Sequence, residues 1–222
     1  MATIYKLNST GEGVKAIQRA LHLIPDGVFG RLTREAVITF QRENNLTPDG
    51  IVGPATLAKL LPSVTTSTLI RKSKRTITDI VVHCTASVAG KDLTVEDIRK
   101  IHKKNGWADI GYHYVVRLDG RIEVGRDIDK IGSHVKGHNS HSIGVVYVGG
   151  LDANGRAKDT RTENQKNSLL NLLMMLRKLY PEARISGHRD FSVDLDGNGI
   201  IEPKEWIKQC PCFDAKIEYR NV

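Results

Sequence analysis

Near its C-terminus the chain carries a stretch, DLDGNGIIEPKE (Asp194–Glu205), whose oxygen-bearing residues are spaced as in a calcium-binding loop. It fits the template D-x-[DN]-x-[DN]-G-x5-E at every specified position. The expected ligands are side-chain oxygens, one backbone carbonyl and one residue acting through water: Asp194, Asp196, Asn198, Ile200, Glu202 and Glu205. The stretch therefore predicts a calcium site, and the alternative is an Asp/Gly turn that binds no ion.

Eight histidines and three cysteines supply a second kind of chemistry, because imidazole and thiolate are the ligands that zinc favours. They are scattered along the chain, so spacing alone does not select a ligand set. A single histidine at a strand end is more often packed or exposed than a metal ligand. Three cysteines, two of them in one C-x-C, do not make a disulfide framework, and we expect reduced thiols.

The elements that would position these residues fall into two domains. Residues 1–62 contain a repeat, in which PDGVFGRLTREAV and PDGIVGPATLAKL share P-D-G-x-x-G-x-x-T. Each Asp-Gly predicts a tight turn. A helix is predicted after each turn from apolar residues at helical spacing: Ala36, Val37 and Phe40 in one copy and Leu57, Leu60 and Leu61 in the other. An earlier helix, GVKAIQRAL, completes a predicted small all-α three-helix domain.

Residues 76–222 mix strand and helix patterns. The run TDIVVHCTAS predicts a buried strand with His83 at its end, and GYHYVVRLDGRIEVGR predicts a hairpin at Asp119-Gly120. Helices are predicted after the caps Thr94 and Thr162. The predicted fold class is therefore α/β (α+β), a mixed central sheet covered by helices, preceded by the three-helix domain.

Half of the net charge of +8 lies in residues 63–78, which hold four basic groups and no acid. Residues 63–75, which include RKSKR (Arg71–Arg75), are rich in Ser, Thr and basic residues, and we predict a solvated linker. A nucleic-acid reader would carry a basic face with interleaved aromatics, so no nucleic-acid partner is expected. No apolar run reaches the ~18 residues of a membrane span, and the first residues lack a secretory signal pattern.

The doubled D-G-x-x-G-x-x-T, over about Gly11 to Leu61, resembles the three-helix peptidoglycan-binding domain of many cell-wall hydrolases. The alternative is that the motif only shapes the fold. Four later stretches, IVVHCTAS, NGWADIGYHYVVRLDGRIEVGRD, GSHVKGHNSHSIGV and GHRD…KQCPCFD, occur in the order seen in another family. They resemble the zinc-dependent N-acetylmuramoyl-L-alanine amidases of the phage-lysozyme type, relatives of the peptidoglycan recognition proteins.

The second resemblance implies roles for several residues. His83, His188 and Cys210 would hold zinc, and Tyr112 and Lys208 would line the catalytic centre. It also implies that His134 and Asn139 face the substrate groove, or else are ordinary loop residues. Cys84 and Cys212 are interpreted as buried thiols near the site. Family members that bind peptidoglycan without cutting it lack the cysteine ligand, so Cys210 favours an enzyme.

This assignment also suggests what the calcium loop does. There is one loop and no entering helix, which argues against a calcium sensor, whereas PKEWIKQ predicts a short helix that carries Lys208 and ends at Cys210. Amidases of this type usually need a short connection between the last histidine and the cysteine, and here 21 residues intervene. The hypothesis is that calcium folds the insertion, residues 194–205, and so fixes a zinc ligand and a catalytic lysine.

The sequence therefore predicts a hydrolase that cleaves the amide between N-acetylmuramic acid and L-alanine in peptidoglycan, with zinc and a structural calcium as cofactors. Without a signal peptide, a phage or prophage endolysin is expected, made in the cytoplasm as a monomer and acting on the wall after release. The alternatives are a non-catalytic peptidoglycan-binding protein and a calcium-regulated interaction module.

Overall fold

The computed structural model of the chain describes residues 4–21, 23–60 and 70–222. It divides into two compact units, Met1–Val64 and Thr65–Val222. Among the described residues, no helix is long and apolar enough to cross a membrane. Residues 63–69 of the predicted linker and the predicted core residue Leu61 lie outside the described residues.

The first unit has the predicted three helices, α1 (Glu12–Ala20), α2 (Arg31–Glu43) and α3 (Pro54–Leu60). Their apolar faces and the two turns between them share one small core: Val14, Ile17, Phe29, Val37, Val52 and Leu60.

A buried glutamine locks each copy of the repeat in the first unit. The side-chain amide of Gln18 is within hydrogen-bonding distance of four groups in the first copy: Asp26 Oδ1 at 2.7 Å, Val28 O at 2.9 Å, Thr33 Oγ1 at 3.1 Å and the N–H of Gly27 at 2.9 Å. Gln41 repeats the pattern in the second copy, with Asp49 Oδ1 at 2.8 Å, Ile51 O at 3.0 Å, Thr56 Oγ1 at 3.1 Å and the N–H of Gly50 at 2.9 Å. The shared Asp, Gly and Thr of the motif therefore shape the fold, and wall binding by this unit still rests on resemblance.

The strands of the second unit are β1 (Asp79–Cys84), β2 (Ser87–Val88), β3 (Tyr114–Val116), β4 (Ile122–Val124), β5 (Ser142–Tyr147), β6 (Gly150–Leu151) and β7 (Arg184–Gly187). Five of them form one sheet of order β4-β3-β5-β1-β7, in which only β4 runs antiparallel to its neighbour. The helices are α4 (Val95–Lys104), α5 (Glu163–Leu179) and α6 (Ala215–Glu218). Strands β2 and β6 form a separate parallel pair.

The central strands β1 and β5 are buried at every residue, as expected of parallel strands covered on both faces. Helix α5 packs with four fully buried leucines, Leu169, Leu172, Leu173 and Leu176. The structure confirms the predicted fold class, a mixed sheet covered by helices after a small helical domain.

Residues 70–75 differ from the solvated linker predicted for residues 63–75. Arg71 pairs with Asp127 at 3.0 Å and with Asp129 at 2.7 Å. Ser73 is buried, and its hydroxyl donates to the carbonyl of Ile128 at 2.8 Å. The basic run is therefore held by acidic and carbonyl partners more than fifty positions away in the chain, and it belongs to the second unit.

The prediction of a short helix over PKEWIKQ is correct only for its first turn, and the part from Trp206 onward is wrong. A 3-10 helix spans only Pro203–Glu205, and the backbone is extended at Trp206. The guanidinium of Arg189 lies 4.0 Å from the centre of the Trp206 ring, and the N–H of Ile207 donates to Ser192 Oγ at 3.1 Å. Because these contacts bind the chain to the preceding segment, the residues up to Cys210 follow an irregular path.

Candidate metal centre

The three zinc ligands implied by the resemblance converge at one edge of the sheet. His83 lies near the end of β1, and His188 follows β7 directly. Since these strands are parallel neighbours in the register Val82 to Gly187, the next residues of both strands stand side by side. The ligand atoms of His83, His188 and Cys210 all lie within 4.8 Å of one another.

The chemistry of this donor set fits zinc. Cys210 Sγ lies 3.8 Å from His83 Nδ1 and accepts the backbone N–H of Cys84 at 3.3 Å. Burial holds the pKa of His83 well below its usual range and lowers the pKa of His188 to about 4, so both imidazoles stay neutral. Neutral imidazole is the form that binds a metal. Imidazole nitrogen and thiolate sulfur are donors that zinc favours, and three protein ligands leave one tetrahedral position for water.

His134 and Asn139, the two residues expected at the substrate groove, take part in a hydrogen-bonded layer that contacts His83. His134 is buried, and its Nδ1 lies 3.1 Å from Nε2 of His83, while its Nε2 lies 3.3 Å from Ser142 Oγ. The side-chain oxygen of Asn139 accepts the N–H groups of His134 at 2.8 Å and Val135 at 2.9 Å. Since Nδ1 of His83 faces Cys210, its Nε2 is free to donate to His134, a contact that fixes the orientation of a metal-binding imidazole.

Tyr112 and Lys208, the two predicted catalytic residues, differ in their exposure to solvent. The Tyr112 ring centre is 5.1 Å from that of His83, and desolvation raises the pKa of its hydroxyl, which keeps the phenol protonated. Lys208 is exposed, and its positive charge adds to burial in lowering the pKa values of His83 and His188. The centre thus has a shielded hydroxyl donor and a solvated cation beside its ligands.

Sequence reasoning missed His113 and Ser142, which form the layer behind the ligands. His113 accepts the N–H of Gly144 at Nδ1, 3.0 Å away, so Nε2 carries its proton and lies 3.1 Å from the carbonyl of Lys130. Burial lowers the pKa of His113 to about 4. Its ring centre lies 5.7 Å from that of His134. The only signal in the sequence was its place in GYH, directly after Tyr112.

Three of the six predicted calcium ligands come together in the insertion. Oxygens of Asp194, Asp196 and Glu205 lie within 4.8 Å of one another, and Glu205 is buried. The other carboxylate, Glu202, pairs with Lys204 at 2.8 Å, and the same ammonium lies 2.7 Å from Asp196.

Asn198 and Ile200 are joined within the loop, where the Asn198 side-chain oxygen accepts the Ile200 N–H at 2.7 Å. Gly197 and Gly199 take positive φ values of 72° and 82°, which allow the tight path that the template requires. Both glycine N–H groups donate to the carboxylate of Asp194, each at 2.7 Å. The loop therefore has an acidic cluster at its centre and a lysine bridging its rim.

Comparisons with known proteins agree with this architecture. A family model for a putative peptidoglycan binding domain matches residues 10–60, and one for N-acetylmuramoyl-L-alanine amidase matches residues 73–211. The chain is 44% identical over 135 residues to an endolysin of Enterobacteria phage K11, which covers 61% of this chain and 80% of the relative. It is 38% identical over 145 residues to an endolysin of Escherichia phage T7, covering 65% and 87%.

Among solved structures, the chain is similar to the endolysin N-acetylmuramoyl-L-alanine amidase LysCS of Clostridium intestinale URNW. The TM-score is 0.50 at 25% identity, over 68% of this chain and 90% of the other. Drosophila PGRP-LB has the same TM-score at 22% identity, over 68% and 84%, and this likeness concerns the fold alone.

Proposed function

The chain belongs to the N-acetylmuramoyl-L-alanine amidase family, and we propose that it is a zinc-dependent phage endolysin. Its reaction is hydrolysis of the amide between N-acetylmuramic acid and L-alanine in peptidoglycan. The observation that carries zinc dependence is the convergence of ligand atoms from His83, His188 and Cys210 within 4.8 Å. Zinc, when bound, supplies a Lewis acid that activates water and polarises the amide carbonyl.

The side chains around the ligands supply the remaining chemistry. The Tyr112 hydroxyl, protonated because desolvation raises its pKa, donates a hydrogen bond to the oxygen of the scissile carbonyl as negative charge develops there. The Lys208 ammonium, exposed at the rim, offsets the same charge. Loss of one such electrostatic group typically lowers the rate by about a hundredfold or more.

His134 has a positioning role in this proposal. Its Nδ1 accepts from His83 Nε2, and its own Nε2–H then donates to Ser142, so the chain of bonds fixes which His83 nitrogen faces Cys210. The neutral state of His134 suits this role, because burial holds its pKa well below the usual range. A protonated ring would offer no acceptor to His83.

Calcium enters the proposal as a structural ion in the insertion. The template match and the cluster of Asp194, Asp196 and Glu205 support it. The insertion leads directly to Lys208 and Cys210, so an ordered loop would set where both residues lie. The first unit would hold the enzyme on the wall, and we expect a monomer that acts after release from the cell.

The test is mass spectrometry of purified peptidoglycan after incubation with the full chain, with and without a zinc chelator. Free stem peptides that begin with L-alanine should appear only without chelator and should return when zinc is added back. Intact wall in every tube, with the protein pelleting alongside it, would instead favour the alternative of a peptidoglycan-binding protein. Hydrolysis that continues in the chelator would contradict zinc dependence alone.

A further inference from the structure

Two thiols meet beside the candidate zinc ligands without belonging to them. Cys84 follows His83 in β1 and is buried, whereas Cys212 lies two residues after Cys210 and is half-buried. Their sulfur atoms are 3.7 Å apart, and both thiols are free. Cys212 Sγ also donates to the carbonyl oxygen of Gly150, 3.2 Å away.

The fold holds this contact in place on both sides. A Cβ at Gly150 would lie 2.6 Å from Cys84 Sγ, so only glycine leaves room for the buried thiol there. On the other side, the Tyr147 hydroxyl donates to the carbonyl of Pro211 at 2.7 Å, which fixes the residue before Cys212. The backbone of Cys212 has a φ of 72°, a value that is uncommon for a residue other than glycine and that persists only where the surrounding structure imposes it. The approach of the two sulfurs is therefore built into the packing.

We propose that Cys84 and Cys212 are a modification site that forms an intramolecular disulfide once the protein leaves the reducing cytoplasm. The compartment change rests on the proposed endolysin function, whereas the pairing rests on the geometry alone. The oxidant is a disulfide, either a protein disulfide of the cell envelope or a small-molecule disulfide. Two exchange steps break both S–H bonds and the S–S bond of the oxidant, form the Sγ–Sγ bond, and pass two electrons and the two protons to the oxidant, which leaves as two thiols.

A side-chain hydrogen bond with Cys210 is the largest cause of the raised pKa of Cys84, so this third sulfur is close to the pair, and a disulfide between Cys84 and Cys212 leaves Cys210 in the donor set. Its sulfur lies 3.8 Å from His83 Nδ1 and accepts the N–H of Cys84, so it faces the ligand cluster. The sulfur of Cys212 instead donates to the carbonyl of Gly150. The sulfurs of Cys84 and Cys212 need to close from 3.7 Å to the roughly 2.05 Å of a disulfide, which asks for small side-chain adjustments.

The cross-link would tie together the two chain segments that carry the zinc ligands. One end, Cys84, is the neighbour of His83, and the other, Cys212, is two residues from Cys210. A disulfide that closes such a long loop removes much of the conformational freedom of the unfolded chain. The oxidised protein should therefore keep its metal centre to a higher temperature than the reduced protein.

The experiment treats the zinc-loaded full chain with oxidised glutathione, blocks free thiols, and maps the peptides by mass spectrometry without reduction. The expected result is one Cys84–Cys212 linked peptide, with Cys210 recovered as a free thiol after chelation. The Tm should rise by roughly 5–15 °C on oxidation and return to its starting value on reduction. Cys212→Ser and Cys84→Ala should each abolish the linked peptide and the rise in Tm.

Three outcomes would overturn the inference: no internal cross-link, a stable mixed disulfide with glutathione, or a linkage that includes Cys210. If a variant does not fold, the peptide map of the unmodified sequence decides alone. Both readouts, the linked peptide and the Tm, are independent of hydrolysis. Failure of the disulfide is therefore distinguishable from failure of the amidase function.

Discussion

Replacing His134 by alanine tests whether the layer behind the ligands tunes the metal centre. The change removes the acceptor that lies 3.1 Å from Nε2 of His83, a residue with no exposed surface. The Nε2–H of His83 is then buried without a partner, which typically costs about 1–3 kcal/mol. Lost partners of metal-binding histidines lower metal affinity by roughly 10–100-fold, or about 1.4–2.8 kcal/mol, and the two ranges agree. We therefore expect the His134→Ala protein to bind zinc roughly 10–100-fold more weakly than the unmodified chain.

The assay is a competition titration of zinc against a chromophoric chelator, run beside far-UV circular dichroism to show that the variant is folded. His134→Gln is the matched variant, because its amide oxygen can accept from His83 and should recover part of the affinity. His141→Ala removes a histidine whose side chain is 38% exposed and lies against Asp79, Ser140 and His138, and it should leave zinc affinity unchanged.

A folded His134→Ala protein with the zinc affinity of the unmodified chain would refute the reasoning. Equal losses in the alanine and glutamine variants would show that the imidazole matters for packing, since the hydrogen bond to His83 would then carry no measurable share. Activity alone does not decide between these cases, because a weaker site and a misplaced site both slow hydrolysis.

Four further predictions address other parts of the molecule. Cys210→Ser should abolish the release of stem peptides while the protein still pellets with the wall, and unchanged lysis would contradict the zinc assignment. Gln41→Ala should destabilise the first unit by about 1–3 kcal/mol, because it leaves buried polar groups of the second repeat unpaired; chemical denaturation measures this. With zinc retained, removal of calcium or the substitution Asp194→Asn should lower both Tm and activity, and no change in either would exclude a structural calcium. Burial lowers the pKa of His113 from about 6.5 to about 4, so between these pH values the unfolded chain binds more protons than the folded chain. The free energy of unfolding should therefore fall as the pH drops from about 6.5 to 4. Denaturation of the metal-free protein should show a smaller fall in this free energy for His113→Gln.

Local signals predicted the parts of the fold whose partners are close in the chain. The side chains of Thr94 and Thr162 each accept the N–H three residues later, as expected of the two helix caps predicted there. Asp119-Gly120 joins β3 to β4 in an antiparallel pair, with Gly120 at a φ of 85°. In each case the residues that form the sequence pattern also make the contacts of the cap or turn, so the local sequence was sufficient for the prediction.

The errors occurred where distant partners decide the structure. Arg71 has a linker-like composition around it, yet Asp127 and Asp129 hold it to the second unit. The contact of His134 with His83 was not predicted either, because the two residues are 51 positions apart in the chain. The glutamine contacts of the first unit were easier to predict from the sequence. Gln18 and Gln41 each stand eight residues before the aspartate that they bind, and this spacing is the same in both copies of the repeat.

The candidate zinc ligands are not equally well fixed by the fold. Register between the two buried parallel strands sets His83 beside His188, and such pairing is expensive to disturb. Cys210 lies on no strand or helix, follows the calcium-type insertion, and is held by two backbone N–H groups, from Cys84 to its sulfur and from Arg189 to its carbonyl. The structural calcium and the Cys84–Cys212 disulfide would both act on this third ligand, from the segments before and after it. If the sheet alone were sufficient to hold the zinc ligands, removing both the calcium and the disulfide would leave zinc affinity unchanged. We expect instead that zinc affinity falls further when both are removed than when either one is removed.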